Sequence, residues 1–96
     1  MNEIAIRAIE SYIHELKDPQ TNYKKSRFEQ ATYSKWAANE VLGYVKYRKD
    51  ISPIQAVEEF INKMDDYACE VGRSSYIFSV AYDIAMDILD LLLCSL

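Results

Sequence analysis

The chain has 96 residues, half of them apolar, and a formal net charge of −4. This length makes a single domain over residues 1–96, and the apolar half is sufficient for a core that needs no disulfide or metal ion. Only two glycines and two prolines are present, which excludes a fold with many turns and favours a few long helices over many short strands.

The first predicted helix covers residues 3–17. Apolar side chains recur there at intervals of three or four, which places them on one helix face: Ile6, Ile9, Ile13 and Leu16. Asp18-Pro19 should end this helix, because the residue before a proline disfavours the α conformation. A polar loop then leads to the next element.

A second helix is predicted over residues 27–49. Ser26, followed three residues later by Glu29, matches a capping box at its start, and a restart at Ser34 is the alternative. Five apolar residues form an arc that should face the core: Ala37, Ala38, Val41, Leu42 and Val45.

The third helix, predicted over residues 53–71, has the clearest start signal. Ser52 suits the N-cap and Pro53 the first helical position, and Gln55 completes a capping box with the serine. Gly72 suits the position just beyond the last turn.

The fourth helix, predicted over residues 75–94, follows a connection so short that it should pack antiparallel to the third. Its polar residues form one narrow strip, which consists of Ser79, Asp83, Asp87 and Asp90. The rest of its circumference is apolar. A helix with so wide an apolar surface should be central. We therefore predict an all-α fold, a compact four-helix bundle with the C-terminal helix at its centre.

Several features favour a cytoplasmic protein. The N-terminal apolar run is interrupted by Glu3, Arg7 and Glu10, unlike a signal peptide. The most apolar segment, residues 76–96, carries three aspartates, which would be costly in a bilayer.

No catalytic or metal-binding pattern stands out. Asp83, Asp87 and Asp90 share one helix face, but a single histidine, His14, leaves the chain without a di-metal motif, and we expect that histidine on the surface. Cys69 and Cys94 lack metal or redox spacing and are expected to be buried, reduced thiols. We predict a protein that is not an enzyme and has no cofactor. A metal or small-molecule site between helices is the weakest hypothesis.

The charge is distributed unevenly. Residues 17–49 hold eight basic and three acidic side chains, whereas residues 50–96 hold two basic and nine acidic ones. Aromatic side chains are interleaved with the basic ones, a composition that suits nucleic acid. The candidate contacts are Lys24, Lys25, Arg27, Lys35, Lys46, Arg48 and Lys49. The negative net charge of the whole chain argues against this function. Ion pairing between the basic segment and the acidic residues 50–96 explains the asymmetry equally well.

Trp36 lies off the apolar face of its own helix. At about 100° per residue it is roughly 140° from Val41, at the start of a second stripe that also contains Glu40, Gly43 and Tyr47. Tyr33 borders this stripe. Either the loop after the first helix, or the first helix itself, covers these residues, or they bind a partner, because exposed Trp and Tyr are typical of interaction hot spots.

Three stretches carry a family resemblance: FEQATYSKWAANEVLGYV, PIQAVEEFINKMDDYA and SYIFSVAYDIAMDILDLLL. They resemble small uncharacterised proteins of phages and conjugative elements from Gram-positive bacteria, over about residues 10–93. The resemblance implies a bacterial accessory protein and assigns no site residues.

The leading functional hypothesis is a non-enzymatic interaction module. We expect it to self-associate, or to bind another protein, through Trp36, Gly43, Tyr47 and Tyr33. The alternative is a nucleic-acid-binding accessory protein that uses the basic residues named above.

Overall fold

Four helices follow one another in the computed structural model, which describes residues 2–16, 24–71 and 76–95. They are α1 (Asn2–Glu15), α2 (Lys25–Tyr47), α3 (Pro53–Val71) and α4 (Tyr76–Ser95). No strand occurs in these residues. The all-α, four-helix prediction is confirmed, and each predicted helix end lies within two residues of the observed one.

The start of α3 has the reciprocal cap that its sequence predicts. The backbone N–H of Gln55 donates to Oγ of Ser52 at 3.2 Å, and the backbone N–H of Ser52 donates to Oε1 of Gln55 at 3.2 Å. Pro53, at the first helical position, is buried. Two donors that the helix itself leaves unsatisfied are therefore satisfied by side chains.

The predicted capping box of α2 is wrong. The helix begins at Lys25 with Lys24 as its N-cap, no side chain caps it, and Ser26 lies within its first turn. The N–H of Phe28 donates to the carbonyl of Lys24 at 2.9 Å, so helical bonding is established before Ser26 could act as a cap. The helix then continues without a restart at Ser34 and is about 35 Å long.

The central position predicted for α4 is confirmed, since this helix contacts α1, α2 and α3, a position that it shares with α2. One side of it is buried along its length: Val80, Ala81, Ile84, Ala85, Ile88 and Leu92. The acidic strip faces outwards, with Asp83, Asp87 and Asp90 all exposed.

The other helices contribute the remaining core with the faces predicted from their periodicity. The buried residues are Ala5 and Ile9 of α1, Ala37, Ala38, Val41 and Val45 of α2, and Ala56, Val57 and Ile61 of α3. None of the described polar or charged residues is buried. Apolar burial therefore provides the stability of this core.

One cysteine prediction is wrong, and several other predictions fall on parts of the chain outside the description. Cys94 is a free thiol but is exposed, because it lies on the outer side of the last turn of α4. The predicted stop at Asp18-Pro19, the glycine at 72 and the Cys69 side chain lie outside the described residues.

Candidate functional site

The side of α2 opposite the core carries two large exposed aromatic side chains. Trp36 is 43% exposed and Tyr47 is 77% exposed, although both belong to a helix whose other side is completely buried. We define the outer face of α2 as six exposed residues at helical spacing: Trp36, Asn39, Glu40, Gly43, Lys46 and Tyr47. α1 borders this face at Asn39 and leaves its other residues exposed, and the loop after α1 lies outside the described part of the chain.

Gly43 lies at the middle of the outer face, one turn from Tyr47. A Cβ atom built on this glycine would have no neighbour within 4 Å. Nothing among the described residues therefore requires a glycine here, although glycine in a helix interior costs about 1 kcal/mol relative to alanine. The helix surface at this point is open to a close approach from outside.

Tyr33 does not belong to the outer face. It is half-buried and packs against the hydrophobic core, so it contributes to the bundle and forms the border of the exposed surface. Of the four residues predicted to bind a partner, the structure leaves Trp36, Gly43 and Tyr47 exposed together.

A cluster of polar contacts fixes one side of α2 to α3. The carboxylate of Glu59 accepts hydrogen bonds from the hydroxyl of Tyr44 and from Nη1 of Arg48, and Lys63 lies 4.0 Å from the same oxygen. The Tyr44 ring also packs edge-on against Phe60, with centroids 6.0 Å apart. We call this side of α2 the α3 side. Tyr47 extends from it, with its ring centroid 6.3 Å from that of Tyr44.

A groove lies on the other side of α2, where this helix meets α1. It has a volume of about 230 Å³ and is open to solvent. Its walls are Glu10, Ile13 and His14 of α1 and Asn39 and Leu42 of α2. We call this the α1 side. His14 is exposed at the rim of the groove, as predicted. The groove and the outer face are continuous, because Asn39 belongs to both.

The predicted nucleic-acid contacts are divided between the two ends of α2. Lys24 and Arg27 are exposed at its start, whereas Lys46 and Lys49 are exposed near its end, about 30 Å away. Lys35, in the middle, is half-buried, and the side chain of Lys25 is outside the described part. The basic residues therefore do not form one continuous patch.

Arg48 is engaged within the chain. Its guanidinium donates to both carboxylate oxygens of Asp50, with Nε–Oδ1 at 3.0 Å and Nη2–Oδ2 at 3.1 Å, in addition to its bond with Glu59. These hydrogen bonds hold the pKa of Asp50 below its usual value. A bidentate arginine that already faces two carboxylates has little capacity left for a phosphate.

The acidic strip of α4 contacts α1 through Asp87. The hydroxyl of Tyr12 donates to Oδ2 of Asp87 at 3.3 Å. Burial, with a further contribution from the charge of Asp87, raises the pKa of Tyr12 to about 12. In the described part of the chain, no group of three or more His, Cys, Asp or Glu side chains is placed to hold a metal ion.

No protein-family model matches the chain, and no curated protein or solved structure does either. Among the described residues, no helix is long and apolar enough to cross a membrane. The candidate site, the outer face of α2 with the adjoining groove, is therefore defined by the exposure and spacing of its own residues.

Proposed function

We propose that this protein is a non-enzymatic interaction module that self-associates through the outer face of α2. The observation that carries the proposal is the joint exposure of Trp36 and Tyr47 on either side of the open Gly43. Aromatic anchors around a small residue are typical of the centre of a protein–protein interface, since they supply large contact area at low cost in side-chain entropy.

The two aromatic rings provide the driving force. Covering the exposed 43% of Trp36 would remove about 100 Å² from water, which is worth about 2.5 kcal/mol at 25 cal/mol per Å². Tyr47, with 77% exposed, has at least as much area to lose. In a symmetric pair each contribution occurs twice, and together they oppose the loss of translational and rotational freedom on association.

The proposed test measures the solution mass of the native chain and of Trp36→Ala by light scattering over a range of concentrations. We expect the native chain to exceed the mass of a monomer, and Trp36→Ala to weaken association at least tenfold. Tyr82→Ala is the matched control, because Tyr82 is an aromatic residue of α4 with a similar exposure of 41%. Equal association of Trp36→Ala and the native chain would refute the proposal.

Nucleic-acid binding is the second candidate function. It is supported by the exposure of four cations in and around α2: Lys24, Arg27, Lys46 and Lys49. Counterion release requires that any such affinity falls steeply with salt. A filter-binding titration with mixed oligonucleotides at low and high salt tests nucleic-acid binding, and an absence of binding at low salt would refute it.

We further propose that the protein acts in the bacterial cytoplasm as an accessory factor of a mobile element. This setting is supported by the resemblance of three of its helical segments to phage and conjugative-element proteins. Self-association is a property that such a small factor could use to bring two partner molecules together.

A further inference from the structure

We infer that two copies of this chain pair through antiparallel α2 helices that cross at Gly43, so that Lys46 of each copy enters the groove of the other and pairs with Glu10. The inference rests on the proposed self-association and adds the orientation of the two chains and the residues that set it. The occupant of the groove is therefore a second copy of the same chain.

Gly43 is the natural crossing point. Helix axes approach most closely where no side chain separates them, and Gly43 is exposed, with no atom outside its own stretch of helix within 4 Å of the position that a Cβ would take. On the outer face Trp36 lies seven residues before it and Tyr47 four residues after it, so the antiparallel pair places Trp36 level with the segment just after the partner's α2. A crossing here lets the side chains on both flanks reach the partner.

The two flanks of the outer face differ in their chemistry. Asn39 and Lys46 lie on the α1 side, next to the groove, while Glu40 and Tyr47 lie on the α3 side. A two-fold axis that makes two helices antiparallel brings each flank against the same flank of the partner. A residue three positions after Gly43 in one copy is then level with the residue three positions before Gly43 in the other copy.

This symmetry aligns Lys46 with the groove. In the antiparallel pair, Lys46 of one copy is level with residues 39–40 of the other and on the same α1 side, where the groove wall contains Asn39 and Glu10. Glu10 and Lys46 are both exposed, and neither forms an ion pair with another described residue. The ammonium group would meet a carboxylate at the wall of this open groove, as an exposed ion pair between the two chains.

The α3 side is also complementary to itself. Tyr47 of one copy is level with Asn39 and Glu40 of the other, so its hydroxyl can donate to the Glu40 carboxylate. A parallel pair would instead place the α1 side of one copy against the α3 side of the other, and Lys46 would lie away from the Glu10 groove. Antiparallel helix dipoles add a small further advantage.

The contact should be weak. The outer face spans about 18 Å of helix, and two helices touching over that length bury less than the standard interface of roughly 800 Å² per partner. We therefore expect reversible dimers that form at micromolar concentrations or above.

Charge reversal on separate chains tests the orientation. Glu10→Lys alone places two lysines together twice per dimer, and Lys46→Glu alone places two glutamates together twice, so each variant should self-associate about tenfold more weakly at low salt. An equimolar mixture should recover native affinity, because opposite charges can then face each other between the two chains. Contacts within one chain cannot produce this recovery, since each variant carries like charges at both positions.

The matched control is the mixture of Glu58→Lys and Lys24→Glu, two exposed positions away from the proposed contact with the same changes in net charge. These variants should associate as the native chain does, alone and mixed. Circular dichroism of each variant verifies that its helices are intact.

The outcomes separate the orientation from the proposed function. If Trp36→Ala dissociates the pair but the Glu10→Lys and Lys46→Glu mixture stays as weak as its components, the antiparallel arrangement is wrong and self-association stands. The orientation is also overturned if each single variant associates like the native chain. A native chain that is monomeric at all concentrations overturns both.

Discussion

Replacing Gly43 with alanine should make the isolated chain more stable and its pairing weaker. The backbone of α2 is helical at this position, and an added Cβ would have no neighbour within 4 Å. The methyl group therefore causes no strain within the chain and removes the conformational freedom that glycine has when unfolded. In a dimer that crosses at Gly43, the same methyl groups would lie between the two helix axes.

The magnitude follows from the helical environment. A glycine in a helix interior is about 0.5–1 kcal/mol less favourable than alanine, which corresponds to a rise in melting temperature of about 2–8 °C for a domain of this size. Overpacking a close contact costs about 1–3 kcal/mol, so self-association should weaken at least about fivefold. Melting is followed by circular dichroism at a concentration below the association range, and affinity by sedimentation equilibrium.

Thr32→Ala is the control for helix propensity. Thr32 is exposed on α2 beyond the outer face, and its hydroxyl donates to the carbonyl of Phe28 at 2.9 Å within the same helix. This variant should also raise the melting temperature but leave association unchanged. If Gly43→Ala stabilises the chain and pairs as well as the native protein, the crossing at Gly43 is refuted. A fall in melting temperature would show that the space around Gly43 is occupied.

Three further perturbations test the fold. Ile88→Ala, at a fully buried position of α4, should lower the free energy of unfolding by about 2–5 kcal/mol in urea titrations, and a loss below about 1 kcal/mol would contradict the central place of α4. Ser52→Ala removes one half of the α3 cap and should cost about 1 kcal/mol, seen as a melting temperature lower by roughly 4–8 °C, whereas Ser79→Ala should change little. Asp87→Asn should lower the pKa of Tyr12 from about 12 towards 10.0 without reaching it, because burial, the largest cause, remains. Tyrosinate absorbance measures that shift. In the native chain the contribution of Tyr12 to stability is complete below pH 10.0 and is lost as the pH rises towards about 12, since the folded state holds the proton more tightly.

The fold can be predicted from the sequence because its signals are local and agree with one another. The Ser52–Gln55 cap depends on residues three apart, and it forms as expected. The apolar arcs of α2 and α4 follow from helical periodicity alone. The prediction for the start of α2 is wrong for an equally local reason, since Ser26 has the right composition for a cap but helical bonding already begins at Lys24.

The candidate site can be predicted only in part. Periodicity places Trp36 away from the core, and it is exposed, but it does not separate Trp36 from Tyr33, which packs on the core. That difference depends on where the neighbouring helices lie. The groove that contains Glu10 and Asn39 likewise arises from the way α1 packs on α2. The sequence pattern includes Arg48 among the candidate nucleic-acid contacts. Its pairing with Glu59 could not be predicted, because that pairing depends on how α2 packs against α3.

The central position of α4 has a consequence for the protein during its synthesis. This helix is the last of the four to leave the ribosome, yet each of the other three packs against it. Until it emerges, α1, α2 and α3 can pack only on one another, so the apolar surface that α4 covers stays exposed and chains at that stage are open to aggregation or to chaperone binding. A stalled chain that ends before Tyr76 should therefore lack a complete core, and only a chain long enough to expose the whole of α4 should complete the fold.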